Sequence, residues 1–327
     1  MSHEIEERDR QCGLENAWHG LTTIVPEVTR EIAHPFEVEP CPCPIERDGA
    51  LIHEDQWYRL VATDDGLPVG PPYNPKTYSP SSIALFWTLI EEAMKDREYT
   101  VVSAGSVRDR QRIFASIQVS ESFEVGNREF REYLNILDSF DGTASLQARY
   151  SNICVVCNNT FSASLNNGKQ LGRAVHKGNL TESAGRIAKA VDLFFSKAEE
   201  VKKTLAIAFA NDCTESEARC WLAAVDNYKK KKLTQSDVQR IARLTELFRL
   251  GDGNCGQNRL DAFQGLTQFH THESCKRPGV AKRLKQFISS NFGPSNNVKE
   301  RGLVALNDWD TYVAEGDRLL NTIDSNE

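Results

Sequence analysis

The spacing of apolar residues in this chain changes near residue 165, and this change limits the folds open to it. Before that point, runs rich in β-branched and aromatic residues, such as "QWYRLVATDDGLPVG" and "RQRIFASIQV", are separated by turn signals. After it, "LTESAGRIAKAVDLFFSKAEEVKKTLAIAFAND" repeats apolar residues at helical spacing. We therefore predict an α+β fold, with a curved antiparallel sheet and one packed helix in the N-terminal half and a helical C-terminal half.

The same patterns divide the chain into four segments. Residues 1–50 are predicted as an irregular lead-in, because the closely spaced prolines of "HPFEVEPCPCPIERDG" exclude a helix and a central strand. Residues 51–165 are predicted as the α+β sheet domain, 166–305 as the helical domain and 306–327 as an acidic tail.

Several turns and helix starts follow from local signals. We predict a helix after "SPSS" near residue 83, a turn near Ser103–Ser106 and a second turn at Asp141–Gly142. A long helix is predicted to begin near Thr181. Capping boxes are predicted at Thr214–Glu217 and Thr234–Asp237, and further helices at 257–271, 278–290 and near 296–305.

Charge is distributed unevenly along the chain, whose net charge is −7. Residues 1–150 hold 14 Lys and Arg against 26 Asp and Glu, whereas residues 151–301 hold 24 against 14. A basic middle fits either a polyanion-binding surface or solvated helix faces. An acidic N-terminus and the lack of a long apolar run predict a cytoplasmic protein without membrane contact. Its nine cysteines are predicted to be free thiols.

The segment "ARYSNICVVCNNTFSASL" raises the question of a metal or redox site. Cys154 and Cys157 stand three apart in a predicted strand, where a thioredoxin-type pair would need a helix N-terminus and zinc would need a second pair. We therefore interpret the motif as structural. Cys157 is expected to be a small buried residue, while Asn158, Asn159 and Thr160 are expected to turn the chain from strand into helix.

"CNNTFSASL" followed by "RAVHKGNL" resembles the core of a family of phage- and plasmid-like prokaryotic proteins of unknown function, which carries a C-N-N-T-L motif. Further matching segments are "WHGLTT", "VGPPYNP", "SAGSVRDRQRIFASIQV", "LDSFDGTASL", "DAFQGLTQFHTH" and "NFGPSNNVKERGL". The chain departs from the pattern at Phe140, where the family often has His, and at Val175, where it usually has Arg. The resemblance implies a mobile-element context and no reaction.

Alternating arginines suggest a surface for nucleic acid. Arg108, Arg110 and Arg112 would share one face of a strand, about 7 Å apart, although a merely exposed strand face is the alternative. Arg128, Arg131 and Arg149 could extend this face, with Tyr133 or Tyr150 for stacking. A glycine-bracketed loop adds Arg173, His176 and Lys177. The lysines at 229–232 are interpreted as partners of a helix dipole.

Catalytic and metal sites have weaker support in the sequence than the surface for nucleic acid. Asp138 and Asp141 flank a predicted turn, where a carboxylate usually accepts backbone N–H groups. His270 and His272 could bind a metal only with ligands from elsewhere, since they diverge on a helix. No phosphate loop, nucleophile elbow or H-E-x-x-H motif occurs, so we expect neither catalysis nor a cofactor.

Three functional hypotheses follow. The first is a protein that binds or anneals single-stranded DNA as a homo-oligomer, because the predicted order of elements is similar to that of ring-forming single-strand annealing proteins. The second is a phage- or plasmid-encoded protein-binding inhibitor or counter-defence module that uses the acidic N-terminal half. The third is a metal-dependent enzyme based on His270 and His272.

Overall fold

A computed structural model describes residues 28–48, 50–52, 56–107, 109–119, 122–154, 159–163, 173–177, 180–274 and 293–324. The strands are β1 (Val38–Pro42), β2 (Ile45–Arg47), β3 (Ala50–Ile52), β4 (Tyr58–Ala62), β5 (Pro68–Tyr73), β6 (Thr100–Val107), β7 (Arg112–Gln118), β8 (Phe123–Val125), β9 (Arg128–Ser139), β10 (Leu146–Cys154), β11 (Asn159–Ala163) and β12 (Arg173–Ala174). The helices are α1 (Arg30–Ala33), α2 (Ile83–Met94), α3 (Leu180–Ala210), α4 (Glu215–Asp226), α5 (Gln235–Leu250), α6 (Arg259–Gln268), a π-helix (Phe269–Glu273), α7 (Pro294–Leu306) and α8 (Trp309–Asp324).

The strands form antiparallel sheets in the N-terminal half, and helices make up most of the C-terminal half, which confirms the predicted α+β class. One sheet has the order β1-β4-β5, and a larger one has the order β11-β10-β9-β7-β6, with β8 beside β9 and β12 beside β10. Strands β2 and β3 pair separately. Among the described residues, no helix combines the length and the apolar character that crossing a membrane requires.

The proline-rich N-terminal segment differs from its expected irregular conformation. Residues 38–42 form strand β1, which pairs with β4 from Val38↔Ala62 to Pro42↔Tyr58. Strand β1 lies at the edge of its sheet. Proline is accepted at such an edge because no neighbour on the outer side needs its missing N–H group. The prolines of this segment therefore exclude a central strand, as predicted, but not an edge strand.

The hairpin between β6 and β7 turns later than the sequence suggested. Its turn was predicted near Ser103–Ser106, but the strands pair through Val107↔Arg112, and the described residues 109–111 belong to the connection. Asp109 and Arg110 have φ angles of +52° and +64°, values that strands do not adopt. The prediction that Asp141–Gly142 turns the chain between two strands is confirmed, and Gly142 has a φ of +70°.

The asparagine segment also differs from its prediction. Asn159 and Thr160 begin strand β11, so the expected turn into a helix at these two residues is wrong. The reason is that residues 159–163 add a strand beside β10 in the larger sheet. Cys157 and Asn158 lie outside the described residues.

The helices were predicted more accurately. Helix α2 begins after Ser82, whose hydroxyl accepts from the Leu85 N–H, and α3 begins at Leu180. Both capping boxes are present, at Thr214–Glu217 and at Thr234–Asp237. Helices α6 and α7 lie where helices were expected, and the helix predicted at 278–290 lies outside the described residues.

The chain divides into two compact units. The first contains residues 1–120, 133–150 and 164–195, and the second contains 121–132, 151–163 and 196–327. In the second unit, Trp221 is fully buried and stacks on Trp309 with 5.2 Å between ring centroids. Trp309 belongs to the segment expected to be an acidic tail, and this segment contains helix α8. Its apolar residues therefore complete a core instead of remaining in solvent.

Candidate functional site

The expected ladder of three arginines on one strand face does not form. Arg108 lies outside the described residues, Arg110 lies in the hairpin turn and Arg112 begins β7. The Arg110 guanidinium contacts Asp64 at 2.8 Å and Asp65 at 2.5 Å. Arg112 is buried and donates to Thr143 Oγ1 at 2.6 Å. The prediction is wrong because the turn falls within the arginine run and local carboxylates and hydroxyls engage the two side chains.

The two arginines of β9 have opposite environments within the second unit. Arg128 is buried and forms an ion pair with the fully buried Asp261, so it is not available to a ligand. Arg131 is exposed, and its Nε lies 3.5 Å from Glu129 Oε1. The side chains therefore alternate between core and solvent along this strand, and Arg128 does not extend an exposed arginine face as expected.

The remaining predicted residues lie in the first unit. Arg149 is half-buried on β10, and the neighbouring Tyr150 is buried, which makes Tyr150 unsuitable for stacking. Arg173 begins the short strand β12, which pairs with β10. His176 is buried, whereas Lys177 is exposed.

Asp138 lies at the centre of a buried polar cluster. From the sequence, its carboxylate was expected only to accept backbone N–H groups at a turn. Its carboxylate accepts from the Ser81 hydroxyl and from the Ser139 N–H at 2.8 Å. His176 Nε2 lies 2.8 Å from Asp138 Oδ1, although its N–H is not aligned for a hydrogen bond. We call Ser81, Asp138, Ser139 and His176 the Asp138 centre. It joins the start of α2, the end of β9 and the loop after β12.

A second pair of contacts supports the turn beside this centre. Asp141 Oδ1 accepts from the Thr143 N–H at 2.9 Å, and Arg112 Nε lies 3.9 Å from Asp141 Oδ2. Thr143 thus links the arginine to the turn that contains Gly142. Each of the two carboxylates near this turn therefore lies beside a nitrogen-bearing side chain, Asp138 beside His176 and Asp141 beside Arg112.

Three half-buried tyrosines lead from the surface to the Asp138 centre. Tyr58 on β4 and Tyr73 on β5 face each other across the strand pair, with ring centroids 6.4 Å apart. Tyr78 follows 5.3 Å from Tyr73, and its hydroxyl donates to the Ser139 carbonyl. The Tyr78 ring lies 5.1 Å from the His176 ring. We call Tyr58, Tyr73 and Tyr78 the tyrosine row.

Asp138 favours protonation of His176. Burial would lower the pKa of His176, but Asp138 and the neighbouring backbone of Ser79 and Ala144 outweigh it, so its pKa is raised above the ordinary 6.5. A raised pKa in the folded state means that protonation stabilises folding. This contribution is fully present below pH 6.5 and is lost as the pH rises through the folded-state pKa.

Replacing His176 by glutamine is therefore expected to destabilise the protein most at acidic pH. The difference in free energy of unfolding between wild type and His176→Gln should be constant below pH 6.5 and shrink above it. Urea unfolding at a series of pH values measures this difference. His272→Gln, at an exposed histidine, is the control. A gap that widens with rising pH would contradict the assignment of a charged His176.

The second unit contains an exposed patch that combines an aromatic ring with cations. Tyr228 is 49 % exposed in the loop between α4 and α5. Lys229 Nζ lies 5.2 Å and the Arg301 guanidinium 4.9 Å from its ring centroid. Lys231 and Lys232 follow in the same exposed loop. We call Tyr228, Lys229, Lys231, Lys232 and Arg301 the Tyr228 patch.

The lysines at 229–232 were interpreted as partners of the helix dipole, but they lie in a loop beyond the end of helix α4. Helix α4 ends at Asp226, and Lys229 has a φ of +65°, so the lysines project from a loop beyond the helix. Lys230 forms an ion pair with Asp237 at 2.7 Å. Within the described part of the chain, Lys229, Lys231 and Lys232 form no ion pair. The signal that sequence reasoning overlooked is the tyrosine directly before four lysines, in "DNYKKKK".

The histidines of "FHTHES" do not converge on a metal. His270 is buried in the π-helix, and its Nε2 lies 2.9 Å from Asp226 Oδ1. Burial would raise the pKa of the Asp226 carboxyl, but the hydrogen bond with His270 and the ion pair with Arg240 outweigh it and lower the pKa. His272 is exposed. In the described ranges, no group of three or more His, Cys, Asp or Glu side chains is placed to hold a metal ion.

Comparison with known proteins gives one result. The family model described as Domain of unknown function (DUF932) matches residues 76–288. This range contains Tyr78, the Asp138 centre and Tyr228, and it ends before Arg301. No curated protein and no solved structure matches the chain.

Proposed function

The chain belongs to the DUF932 family, whose description names no reaction, and from its own surface we propose that it binds single-stranded DNA through the Tyr228 patch. The observation that carries this proposal is a half-exposed tyrosine beside exposed lysines that form no ion pair with a described residue. Proteins that bind single strands combine these two features, cations for the phosphates and aromatic rings for the bases.

Phosphate contacts supply the main attraction. Three lysines of the loop are exposed and not ion-paired among the described residues, so that phosphate oxygens can approach their ammonium groups. The loop belongs to the basic segment 151–301, which holds 24 Lys and Arg against 14 Asp and Glu. Each phosphate neutralised on a single strand contributes about −0.7 to the slope of log K against log salt.

The aromatic ring gives the surface its preference for unpaired bases. Arg301 is fixed beside Tyr228 because its Nε donates to the Val225 carbonyl at 2.7 Å. The arginine therefore stays in place while the flexible Lys229 can move towards a phosphate. A base that stacks on the ring or on the guanidinium would gain about 1–3 kcal/mol, whatever its sequence.

The test is a titration of labelled oligothymidine at several salt concentrations. Replacing Lys229, Lys231 and Lys232 together by alanine is expected to reduce the salt slope by about 2, since three contacts of about 0.7 each are lost. Tyr228→Ala is expected to weaken binding by about 1–3 kcal/mol, whereas Tyr228→Phe keeps the ring and should bind like wild type.

A second triple variant controls for net charge. Lys95, Lys189 and Lys203 are exposed lysines elsewhere in the chain, and their joint replacement by alanine removes the same charge. If both triple variants reduce the salt slope equally, the effect is one of overall charge and not of this patch. If the wild type does not bind oligothymidine at low salt, the proposal is wrong.

In this proposal the chain acts in the DNA metabolism of mobile elements such as phages and plasmids, and it anneals strands as a homo-oligomer. The second hypothesis, a protein-binding inhibitor that uses the acidic half, stays a prediction. It has less support from the geometry, because Asp64, Asp65 and Asp141 pair with arginines of the same half.

A further inference from the structure

We propose that Cys41 and Cys43 form a two-thiolate site for a soft monovalent metal ion, and that copper(I) is the ion this geometry fits. The site lies in the first unit, whereas the Tyr228 patch lies in the second, and it does not depend on the proposed binding of DNA. Three features support it, namely the alternation of cysteine with proline on an edge strand, the access of solvent to both thiols and an arginine beside them.

The pairing of β1 with β4 places both cysteines on one face of the sheet. Cys41 lies opposite Arg59 in the register. The Cys43 N–H donates to the Trp57 carbonyl at 2.9 Å, which continues the same ladder beyond the end of β1. Side chains two residues apart on a strand point to the same side, and so do residues that face each other across a strand pair. Cys41 and Cys43 therefore share one face with Arg59 and Trp57.

The prolines between and before the cysteines fit this register. Facing residues of antiparallel strands alternate between hydrogen-bonded and non-hydrogen-bonded pairs. Because Cys43 donates to Trp57, the two cysteines occupy hydrogen-bonded positions, and Pro40 and Pro42 occupy the non-hydrogen-bonded positions next to them. A missing N–H costs nothing at such an edge position, and the fixed φ of proline keeps the strand extended. The two thiols thus project from a stiff backbone.

The spacing of the cysteines excludes a disulfide between them but permits a bridging metal ion. On a strand, the Cα atoms of residues i and i+2 lie about 6.7 Å apart, and their parallel Cβ atoms keep nearly the same separation. A disulfide needs Cβ atoms about 3.5–4.5 Å apart. A metal ion between the sulfurs adds two metal–thiolate bonds of about 2.3 Å each. A span that is too long for a disulfide therefore suits a sulfur–metal–sulfur bridge while β1 stays paired.

The available ligands select a soft ion with a low coordination number. Cys41 is exposed and Cys43 is half-buried, so that an ion in solution can reach both thiols. Thiolates favour copper(I) and zinc, but a structural zinc ion takes four ligands. Among the residues that the structure describes, no third His, Cys, Asp or Glu side chain joins this pair to hold a metal. Copper(I), for which two thiolates in a line are sufficient, is therefore the ion that the pair fits.

Arg59 supplies the counter-charge that such a complex needs. Two thiolates and one copper(I) ion together carry one negative charge. Arg59 is half-buried beside Cys41, it forms no ion pair with a described residue, and its buried Nε has no hydrogen-bond partner. Binding of the metal releases the two thiol protons, and a neighbouring guanidinium favours the thiolates that remain.

The experiment adds copper(I) to the reduced, metal-free full chain in competition with a chromophoric chelator. Wild type is expected to take up one copper equivalent that both Cys41→Ser and Cys43→Ser lose, and X-ray absorption should show two sulfur neighbours at the copper. The control is the double variant Cys213→Ser/Cys255→Ser, which removes two cysteines of the second unit and should keep this equivalent. Arg59→Ala is expected to weaken the copper affinity about tenfold, as the loss of an outer-shell partner does.

Alkylation of wild type gives a measurement that does not depend on the folding of a variant. Bound copper(I) should protect Cys41 and Cys43 from iodoacetamide and leave the exposed Cys255 reactive. Equal alkylation of Cys41 and Cys43 with and without copper would overturn the proposal, and so would copper uptake that is unchanged in both serine variants. Three or four sulfur neighbours, or tighter binding of zinc than of copper(I) by the pair, would also overturn it, because further ligands would then be required.

Discussion

Replacing Asp261 by alanine is expected to destabilise the second unit by about 4–6 kcal/mol. Asp261 is fully buried, and its partner Arg128 is 3 % exposed, so the substitution leaves a guanidinium without a counter-charge in the core. Breaking a buried ion pair from one side costs about 3–5 kcal/mol. The carboxylate also accepts from the Gln257 N–H at 2.9 Å and closes the capping box with Asn258, which adds about 1 kcal/mol.

Two further variants separate the effect of the unpaired buried charge from the effect of the lost helix cap. Glu217→Ala removes the N3 residue of another capping box, but Glu217 is exposed and forms no ion pair with a described residue, so the expected cost is about 1 kcal/mol. The double variant Arg128→Met/Asp261→Ala should be less destabilised than Asp261→Ala alone, because no charge remains buried. Urea unfolding followed by tryptophan fluorescence measures all three. A double variant that is less stable than the single one would contradict this explanation.

Replacing Gly316 by alanine is expected to destabilise the packing of α8 on α4 by about 3 kcal/mol. A Cβ atom at this position would lie 1.7 Å from the carbonyl oxygen of Cys220 and 2.8 Å from its Cα. These are backbone atoms, so no side chain can rotate away and the two helices must separate. Overpacking of this kind costs about 1–3 kcal/mol, and the stacked Trp221–Trp309 pair would be disturbed as well.

A glycine-to-alanine substitution at another position should have the opposite effect on stability. Gly185 lies within α3, and a Cβ there would meet nothing within 4 Å. Gly185→Ala is therefore expected to stabilise the protein by about 0.5–1 kcal/mol, because alanine loses less conformational entropy in a helix. Thermal melting and urea unfolding of both variants measure the contrast. A neutral Gly316→Ala would show that α8 does not approach α4 as closely as described.

Local signals predicted the elements well where the decisive contacts are local. The two capping boxes, the Asp141–Gly142 turn and most helices were found because each depends on residues a few positions apart. The β6–β7 turn was misplaced because several small residues in this run are compatible with a turn. That shift of a few residues was enough to move Arg110 from a strand face into a turn.

The candidate sites were less predictable because their members come from distant parts of the chain. The Asp138 centre joins Ser81, Asp138 and His176, and no local pattern shows that these three side chains meet. The Tyr228 patch likewise needs Arg301 from α7 beside a tyrosine of the α4–α5 loop. Only the tyrosine and the lysines that follow it could have been recognised in advance.

The sequence by itself determined which kinds of element this chain forms and in what order, because hydrophobic period and capping residues act over a few residues. The tertiary structure alone decided which charges reach solvent. Arg128 and Arg131, three residues apart on one strand, must lie on opposite faces, but only the packing decides that the face of Arg128 is the buried one, against a carboxylate 133 positions away. Burial of a charge depends on the elements that pack around it, and that information is spread over the whole chain.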